Sequence, residues 1–277
     1  MADTTSRSSF PSHAIDTTVP SVARAYDAAL GGKDNYEVDR QLLAQLNAAV
    51  PEVNIIAVSN RAFLIRAVRF LASEAGIDQF LDCGSGLPTV ENTHQVAQRL
   101  NPEARVVYVD NDPVVLAHGR ALLEDNENTK LVGADIFKPT EVLENEFVRR
   151  HLDFTRPIAL LQVATLHHHS AAEGLAPAEV MRAYIDALPS GSYVVFSHFF
   201  DPENELSPIA QRVQGILNSS ISRGFFRTRA EIEEMLVGLD LIDPGIAVAD
   251  EWWPDGPGNT PLPDAGRCIV AALGRKP

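Results

Sequence analysis

Cysteine is scarce: Cys83 and Cys268 are the only two in 277 residues. Two thiols cannot build a disulfide framework or a four-ligand zinc site. Each lies in an apolar run that reads as strand, where a cysteine behaves as a small buried hydrophobe. No uninterrupted apolar stretch approaches ~18 residues, so no membrane-spanning helix is expected. Positive charge is also short. Lys and Arg number 23 against 37 Asp and Glu, for a formal net charge of -14. A surface that acidic repels phosphate backbones and anionic lipid, so neither nucleic acid nor a membrane is an expected partner. Residues 1–20 are polar, rich in Ser and Thr, and lack the apolar core of a secretory signal, which gives the expectation of a cytoplasmic chain.

What is present is an ordinary globular composition, 45% apolar and 22% charged. A chain this long buries roughly 75% of its unfolded surface and needs no covalent staple. Residues 1–20 have no hydrophobic period and read as a disordered tail. Residues 21–76 read as a helical N-terminal cap. Val22, Ala25, Tyr26 and Ala29 recur at helical spacing before Gly31-Gly32, a second helix spans 37–49 and ends before Pro51, and a third spans 55–75. From residue 77 the texture changes. Short apolar runs at 79–83, 105–110, 130–132, 157–163 and 192–197 alternate with helix-like stretches at 89–100, 113–124, 139–150 and 176–188. That alternation predicts a parallel sheet with helices on both faces. After a further helical stretch at 228–238, segments 239–249 and 267–273 follow one another without a helix between, which predicts an antiparallel edge.

The turn after the first strand reads Leu81-Asp82-Cys83-Gly84-Ser85-Gly86-Leu87-Pro88-Thr89. Glycines here let the backbone approach a ligand at the carboxyl end of the sheet. The dinucleotide fingerprint G-x-G-x-x-G would need its third glycine where Thr89 stands. Asp82, facing the glycine loop, would repel a pyrophosphate. It suits a ligand with an ammonium group, which favours S-adenosylmethionine over a nicotinamide cofactor. Asp110 ends the second strand 26 residues after Gly84, near the spacing of a ribose-binding acid. Asp112 precedes Pro113 and reads as a helix cap. Asp135, after the third strand, is placed to accept from an adenine amino group, unless it is merely a solvated turn residue.

Taken together, these residues resemble class I S-adenosylmethionine-dependent methyltransferases. They are more similar still to a bacterial S-adenosyl methyltransferase family long known as a domain of unknown function. The words that carry the resemblance are Ala23-Arg24-Ala25-Tyr26-Asp27, Leu30-Gly31-Gly32-Lys33-Asp34-Asn35-Tyr36, Asp39-Arg40, Asn60-Arg61-Ala62-Phe63, Gly84 to Thr89, Val106 to Pro113, Pro244-Gly245 and Trp253-Pro254. The resemblance implies a Rossmann-like α/β domain at 77–277 with a seven-stranded sheet whose last strand is antiparallel. It implies S-adenosylmethionine as cofactor, held by Asp82, Gly84, Ser85, Gly86, Asp110, Asn111, Asp135 and Ile136. Tyr26, Asn35 and Tyr36 would close over it if Gly31-Gly32 is a lid hinge; the alternative is a helical layer on the sheet flank. Arg61 is a candidate for the methionine carboxylate.

Methyl transfer from a sulfonium is an in-line displacement that needs positioning, plus a base when the nucleophile carries a proton. The base would follow the fourth strand, at Leu166-His167-His168-His169, where His167 and His168 are candidates either as base or as pocket wall. Adjacent histidines diverge in an extended segment, and no metal is expected. Phe199-Phe200, Phe225-Phe226 and Trp252-Trp253 are either core or pocket wall. A small-molecule methyl acceptor and a homodimer are the expected partners. The competing readings are a non-catalytic sensor of S-adenosylmethionine or its demethylated product and, more remotely, a NAD-dependent oxidoreductase.

Overall fold

Buried side chains alternate between two faces along each central strand. In β1 (Gln79–Cys83), Phe80 joins one hydrophobic cluster and Leu81 and Cys83 the other. In β2 (Arg105–Asp110), Val106 and Tyr108 point one way and Val107 and Val109 the opposite way. Strands apolar on both faces must be covered on both faces. A computed structural model of the chain describes residues 15–89, 91–122, 126–221, 223–253 and 261–277. The expected tail is thus described only from residue 15, and residues 254–260, between the two segments expected to form the antiparallel edge, lie outside the described residues.

β3 (Thr129–Gly133), β4 (Ala159–Val163) and β5 (Tyr193–Phe199) complete a parallel set in the order β3-β2-β1-β4-β5. β6 (Asp240–Leu241) and β7 (Ala247–Val248) both pair antiparallel with the final strand, β8 (Ile269–Arg275), which is itself antiparallel to β5. The seventh, antiparallel position is therefore as expected. The sixth is split in two around Pro244 and Gly245, because proline offers no N–H to a ladder and Gly245 has φ 77°. Chain order reverses between β1 and β4, and this switch point places any ligand beyond the carboxyl ends of those strands.

One face is covered by α1 (Val22–Ala29), α2 (Glu37–Ala49), α3 (Ile55–Ser73), α4 (Thr93–Leu100) and α9 (Ser207–Ser220). The other carries α6 (Pro139–Leu143), α7 (Glu146–His151), α8 (Pro177–Ala187) and α10 (Arg229–Met235). α5 (Pro113–Leu122) follows β2 and packs near β3. The helix expected from residue 89 begins only at Thr93, where Asn92 and Gln95 form a reciprocal cap. The helix expected at 139–150 is two helices, because the Asn145 side chain accepts from the amides of Phe147 and Val148 and starts a new one. α9 had no counterpart in the sequence reading. Gly215 and the Asn218-Ser219-Ser220 end weaken its helical signature, yet Ala210, Val213 and Leu217 are buried. No described helix is long and apolar enough to cross a membrane.

Candidate functional site

A cavity of about 580 Å³ opens at the carboxyl ends of β1, β2 and β4. Its polar end holds most of the residues singled out from the sequence: Asp82, Gly84, Ser85, Gly86, Asp110, Asn111, Asp135 and Ile136, with Tyr26 and Arg61 reaching in from the helices. Its apolar end is lined by Leu43 and Leu46 of α2, Ile56 of α3, and Val213, Leu217 and Ile221 at α9.

The glycine turn has a steric reason. A Cβ on Gly84, whose φ is 77°, would sit 2.5 Å from Thr165 Cγ2 and 3.1 Å from Ile136 Cδ1. Glycine is therefore required by both conformation and space. The Gly84 amide donates to the Val109 carbonyl at 2.7 Å, which turns the chain over the end of β2. Gly86 has φ 64° and open space where its Cβ would be. Its amide donates to Asp110 Oδ2 at 2.9 Å. Asp110 Oδ1 accepts from the Asp112 amide at 2.9 Å, so one carboxylate braces both loops while facing the cavity. Asp112 caps α5 through a 2.7 Å bond from the Val114 amide, as its place before Pro113 predicts. Ser85 Oγ is buried without a hydrogen-bond partner among the described residues. Buried hydroxyls are normally satisfied, which makes this atom a candidate to meet a ligand's polar group.

Asp82 is buried, and its Oδ2 accepts from Thr93 Oγ1 at 2.7 Å. Burial pushes its carboxyl up to about 6, opposed by the Thr93 bond and the Arg61 charge and reinforced by Asp110. Burial likewise raises the Asp110 carboxyl. Two desolvated carboxylates favour a cationic ligand, whose charge would offset their desolvation cost. Arg61, on α3, donates to the Glu91 carbonyl at 2.8 Å. Asp135 pairs with Lys138 at 3.3 Å and accepts from the Phe137 amide at 3.0 Å.

The sequence reading placed Asn35 and Tyr36 over the cofactor; neither lines the cavity, and both build the α1–α2 connection. Asn35 donates to Asp27 Oδ2 at 2.8 Å and to the Gly32 carbonyl at 3.0 Å. The Asp27 carboxylate fills the space against Gly32, where a Cβ would lie 2.0 Å from Oδ1. Tyr36 lies under the Arg24 guanidinium, 4.9 Å from its ring centre. Arg24 and Asp39 form a buried ion pair at 2.8 Å, and Asp39 also accepts from the amides of Ser21 and Tyr36. The dense polar word from Ala23 to Arg40 is thus largely spent on a satisfied buried network. Tyr26 is its polar member at the cavity, beside Ala23, Ala25 and Ala29.

The two candidate histidines separate. His167 is buried, stacked on Phe199 with ring centres 3.5 Å apart, and its Nδ1 accepts from the Phe199 amide at 3.2 Å. That bond assigns the proton to Nε2 and leaves no lone pair for a substrate proton. Burial, with His168, His198 and Arg227 nearby, holds it well below the ordinary histidine range. In that tautomer His167 offers no ring lone pair to a substrate, and its side chain lines the cavity. In His168 the Nδ1 lies 2.9 Å from the Arg223 carbonyl, which can only accept. The proton is then on Nδ1, and Nε2 keeps its lone pair. Burial lowers His168 to about 4, so the ring is neutral at physiological pH. His169 lies outside the cavity, stacked on Phe137. Of the aromatic pairs, Phe199 reaches the cavity, whereas Trp252 is core, edge-on to Phe63 at 5.1 Å.

Sequence reasoning missed a hydrogen-bonded chain beneath the cavity. Asn60 Nδ2 donates to Tyr26 Oη at 2.9 Å, Ser197 Oγ donates to Asn60 Oδ1 at 2.5 Å, and the Ala164 amide donates to Ser197 Oγ at 2.8 Å. It links α1 through α3 and β5 to the end of β4, where Ala164 is left-handed at φ 58°. The signal available was Asn60 recurring on the buried face of α3.

A doubly covered sheet of this order, with a glycine turn after β1 and an acid closing β2, defines a nucleoside-binding α/β protein. Residues 8–277 match the S-adenosyl methyltransferase family, and the chain belongs to it. It is an S-adenosylmethionine-dependent methyltransferase. It is similar to a protein from Thermobifida fusca YX provisionally described as a methyltransferase, at 44% identity and TM-score 0.89 over 96% of this chain and 98% of that one. It is also similar to a DUF574 family protein from Streptomyces avermitilis, at 37% identity and TM-score 0.88 over 95% and 99%. No protein of curated function matches the chain. The residues fit the cofactor: a carboxylate at each of two strand ends, an orphaned serine hydroxyl, and a left-handed glycine with open space beside it.

Proposed function

We propose that the chain methylates a small molecule held in the same cavity as the cofactor. The observation that carries this reading is the continuity of the cavity, from the Gly84–Gly86 turn to the apolar walls on α2 and α9. Its volume, about 580 Å³, lies in the range of small-ligand sites, roughly 300–1,000 Å³. In this reading Asp110 accepts from the ribose hydroxyls, and Asp135 with Ile136 bounds the base. Asp82 and Arg61 take the charged methionine end, with Ser85 and Asn111 beside them. When bound, the cofactor supplies an electrophilic methyl on a sulfonium.

The protein's own share is to orient the acceptor and exclude water. Tyr26 and the α1–α2 unit form the roof, whereas α3 belongs to the layer on the sheet, with Phe63, Ala67 and Leu71 buried in its core. Calorimetry should show S-adenosylmethionine and S-adenosylhomocysteine binding with no comparable NAD affinity, and tritium from labelled cofactor should enter the small-molecule fraction of a cell extract. Label entering only protein or nucleic acid would overturn the small-molecule reading.

A further inference from the structure

The acceptor end of the cavity carries enough detail to name a substrate class; this rests on the proposed small-molecule reaction. We infer that the acceptor is an uncharged, apolar-bodied molecule that presents a hydroxyl to His168 Nε2.

The first observation is the wall chemistry. Leu43 and Leu46 of α2, Ile56 of α3, Val213 and Leu217 of α9 and Ile221 just beyond it offer no polar side-chain group. The charged side chain on this side, Arg223, is held by Glu173 at 2.8 Å. An aliphatic amine would enter as an ammonium and a carboxylic acid as an anion. Either would lose its hydration and meet no counter-charge on those walls. Asp82, Asp110 and Asp135 lie at the cofactor end.

The second observation is the fixed tautomer of His168. The Arg223 carbonyl takes the Nδ1 proton, so Nε2 of this cavity-lining ring is an acceptor, on the same cavity as the apolar walls of α2 and α9. It selects a donor, and a neutral O–H is the donor that survives the charge argument. Burial keeps the ring uncharged before the acceptor arrives. In the reaction the acceptor oxygen forms a bond to the methyl carbon as the carbon–sulfur bond breaks and its electron pair stays on sulfur. The hydroxyl proton passes to His168 Nε2 and then to solvent. A hydroxyl compound and a sulfonium thus give a methyl ether, a neutral thioether and one proton.

The third observation concerns shape. Phe199 lines the cavity, but His167 covers one of its faces at 3.5 Å and Phe226 stacks on it at 4.7 Å. Its edge, not a face, meets the acceptor. Selectivity therefore rests on apolar volume and on the hydroxyl, not on aromatic stacking.

The test uses the full chain saturated with S-adenosylhomocysteine and four probes on one apolar body: 2-naphthol, 2-methoxynaphthalene, 2-naphthoic acid and 2-naphthylmethylamine. Calorimetry should show 2-naphthol binding about tenfold or more tightly than each of the others, the discrimination expected of one hydrogen bond in a desolvated site. His168→Leu should erase the preference over 2-methoxynaphthalene while leaving S-adenosylhomocysteine affinity within about twofold. His168→Gln, which keeps an acceptor, should restore part of it. Equal or tighter binding of the acid or the amine, no binding of 2-naphthol, or a preference that persists in His168→Leu overturns the inference. Failure of S-adenosylhomocysteine itself to bind would instead overturn the cofactor-site reading beneath it.

Discussion

At the scale of single residues, the two aspartates flanking the β2–α5 turn divide their work. Asp110 faces the cavity, so Asp110→Ala should weaken cofactor binding ~10–150-fold, the worth of a charge-assisted hydrogen bond of about 1.5–3 kcal/mol. Asp112→Ala should mainly cost about 1 kcal/mol of stability as a lost cap. Calorimetry and thermal melts on both variants check this; the larger affinity loss at Asp112 would reverse the assignment. Asp82 makes a pH prediction. Its carboxyl titrates near 6 in the folded protein against 3.8 for the unperturbed group. Below that value it is protonated and uncharged, so affinity for the cationic cofactor should fall as pH drops from 8 to 5, and Asp82→Asn should flatten the profile. The sign for stability is opposite to the usual carboxylate case. Because the folded value is raised, the group costs stability as pH rises from about 4 through 6. Asp82→Asn should accordingly raise the melting temperature of the cofactor-free protein at pH 8 while it weakens cofactor binding.

At the scale of elements, the α1–α2 connection is the sharpest test of the N-terminal region. Gly32→Ala would drive a methyl into the Asp27 carboxylate and release the Asp34 amide and Asn35 side chain it holds. Losing such buried bonds costs about 1–3 kcal/mol, and the variant should be cut faster by trypsin at Lys33. If α1 and α2 act as a roof, saturating cofactor should slow cleavage at Lys33 and Arg40 in the unmodified protein. Equal rates with and without cofactor would leave these helices as scaffold. How far the sequence could be read differs along the same chain. The parallel strands were legible because Val, Leu and Ile runs buried on both faces leave no other option. Gly84 and Asp110 were legible because the first strand's turn and the second strand's end are fixed by topology. Asn35 and Tyr36 were not, because polarity alone does not separate a residue that waits for ligand from one that satisfies a buried Asp27 or Arg24. The roles of His167 and His168 turn on which carbonyl or amide meets each ring nitrogen, and those partners, Phe199 and Arg223, come from distant segments.

At the scale of the whole molecule, the charge of -14 bears on traffic through the site. S-adenosylmethionine carries one net positive charge at neutral pH and S-adenosylhomocysteine none. The acidic field should speed capture of the first and leave the second unaffected. Stopped-flow association of S-adenosylmethionine should slow severalfold as salt rises from about 20 mM to about 500 mM, where the Debye length falls below about 10 Å. The rate for S-adenosylhomocysteine should stay flat, and parallel slowing of both would sink the idea. The walls at Leu43, Val213 and Leu217 stand on α2 and α9, outside the strand ends that carry Asp82, Gly84 and Asp110. Lineages can therefore exchange these side chains, and with them the molecule that is methylated, while the machinery that handles the methyl donor stays the same. For an engineer, α2 and α9 are the place to begin a library.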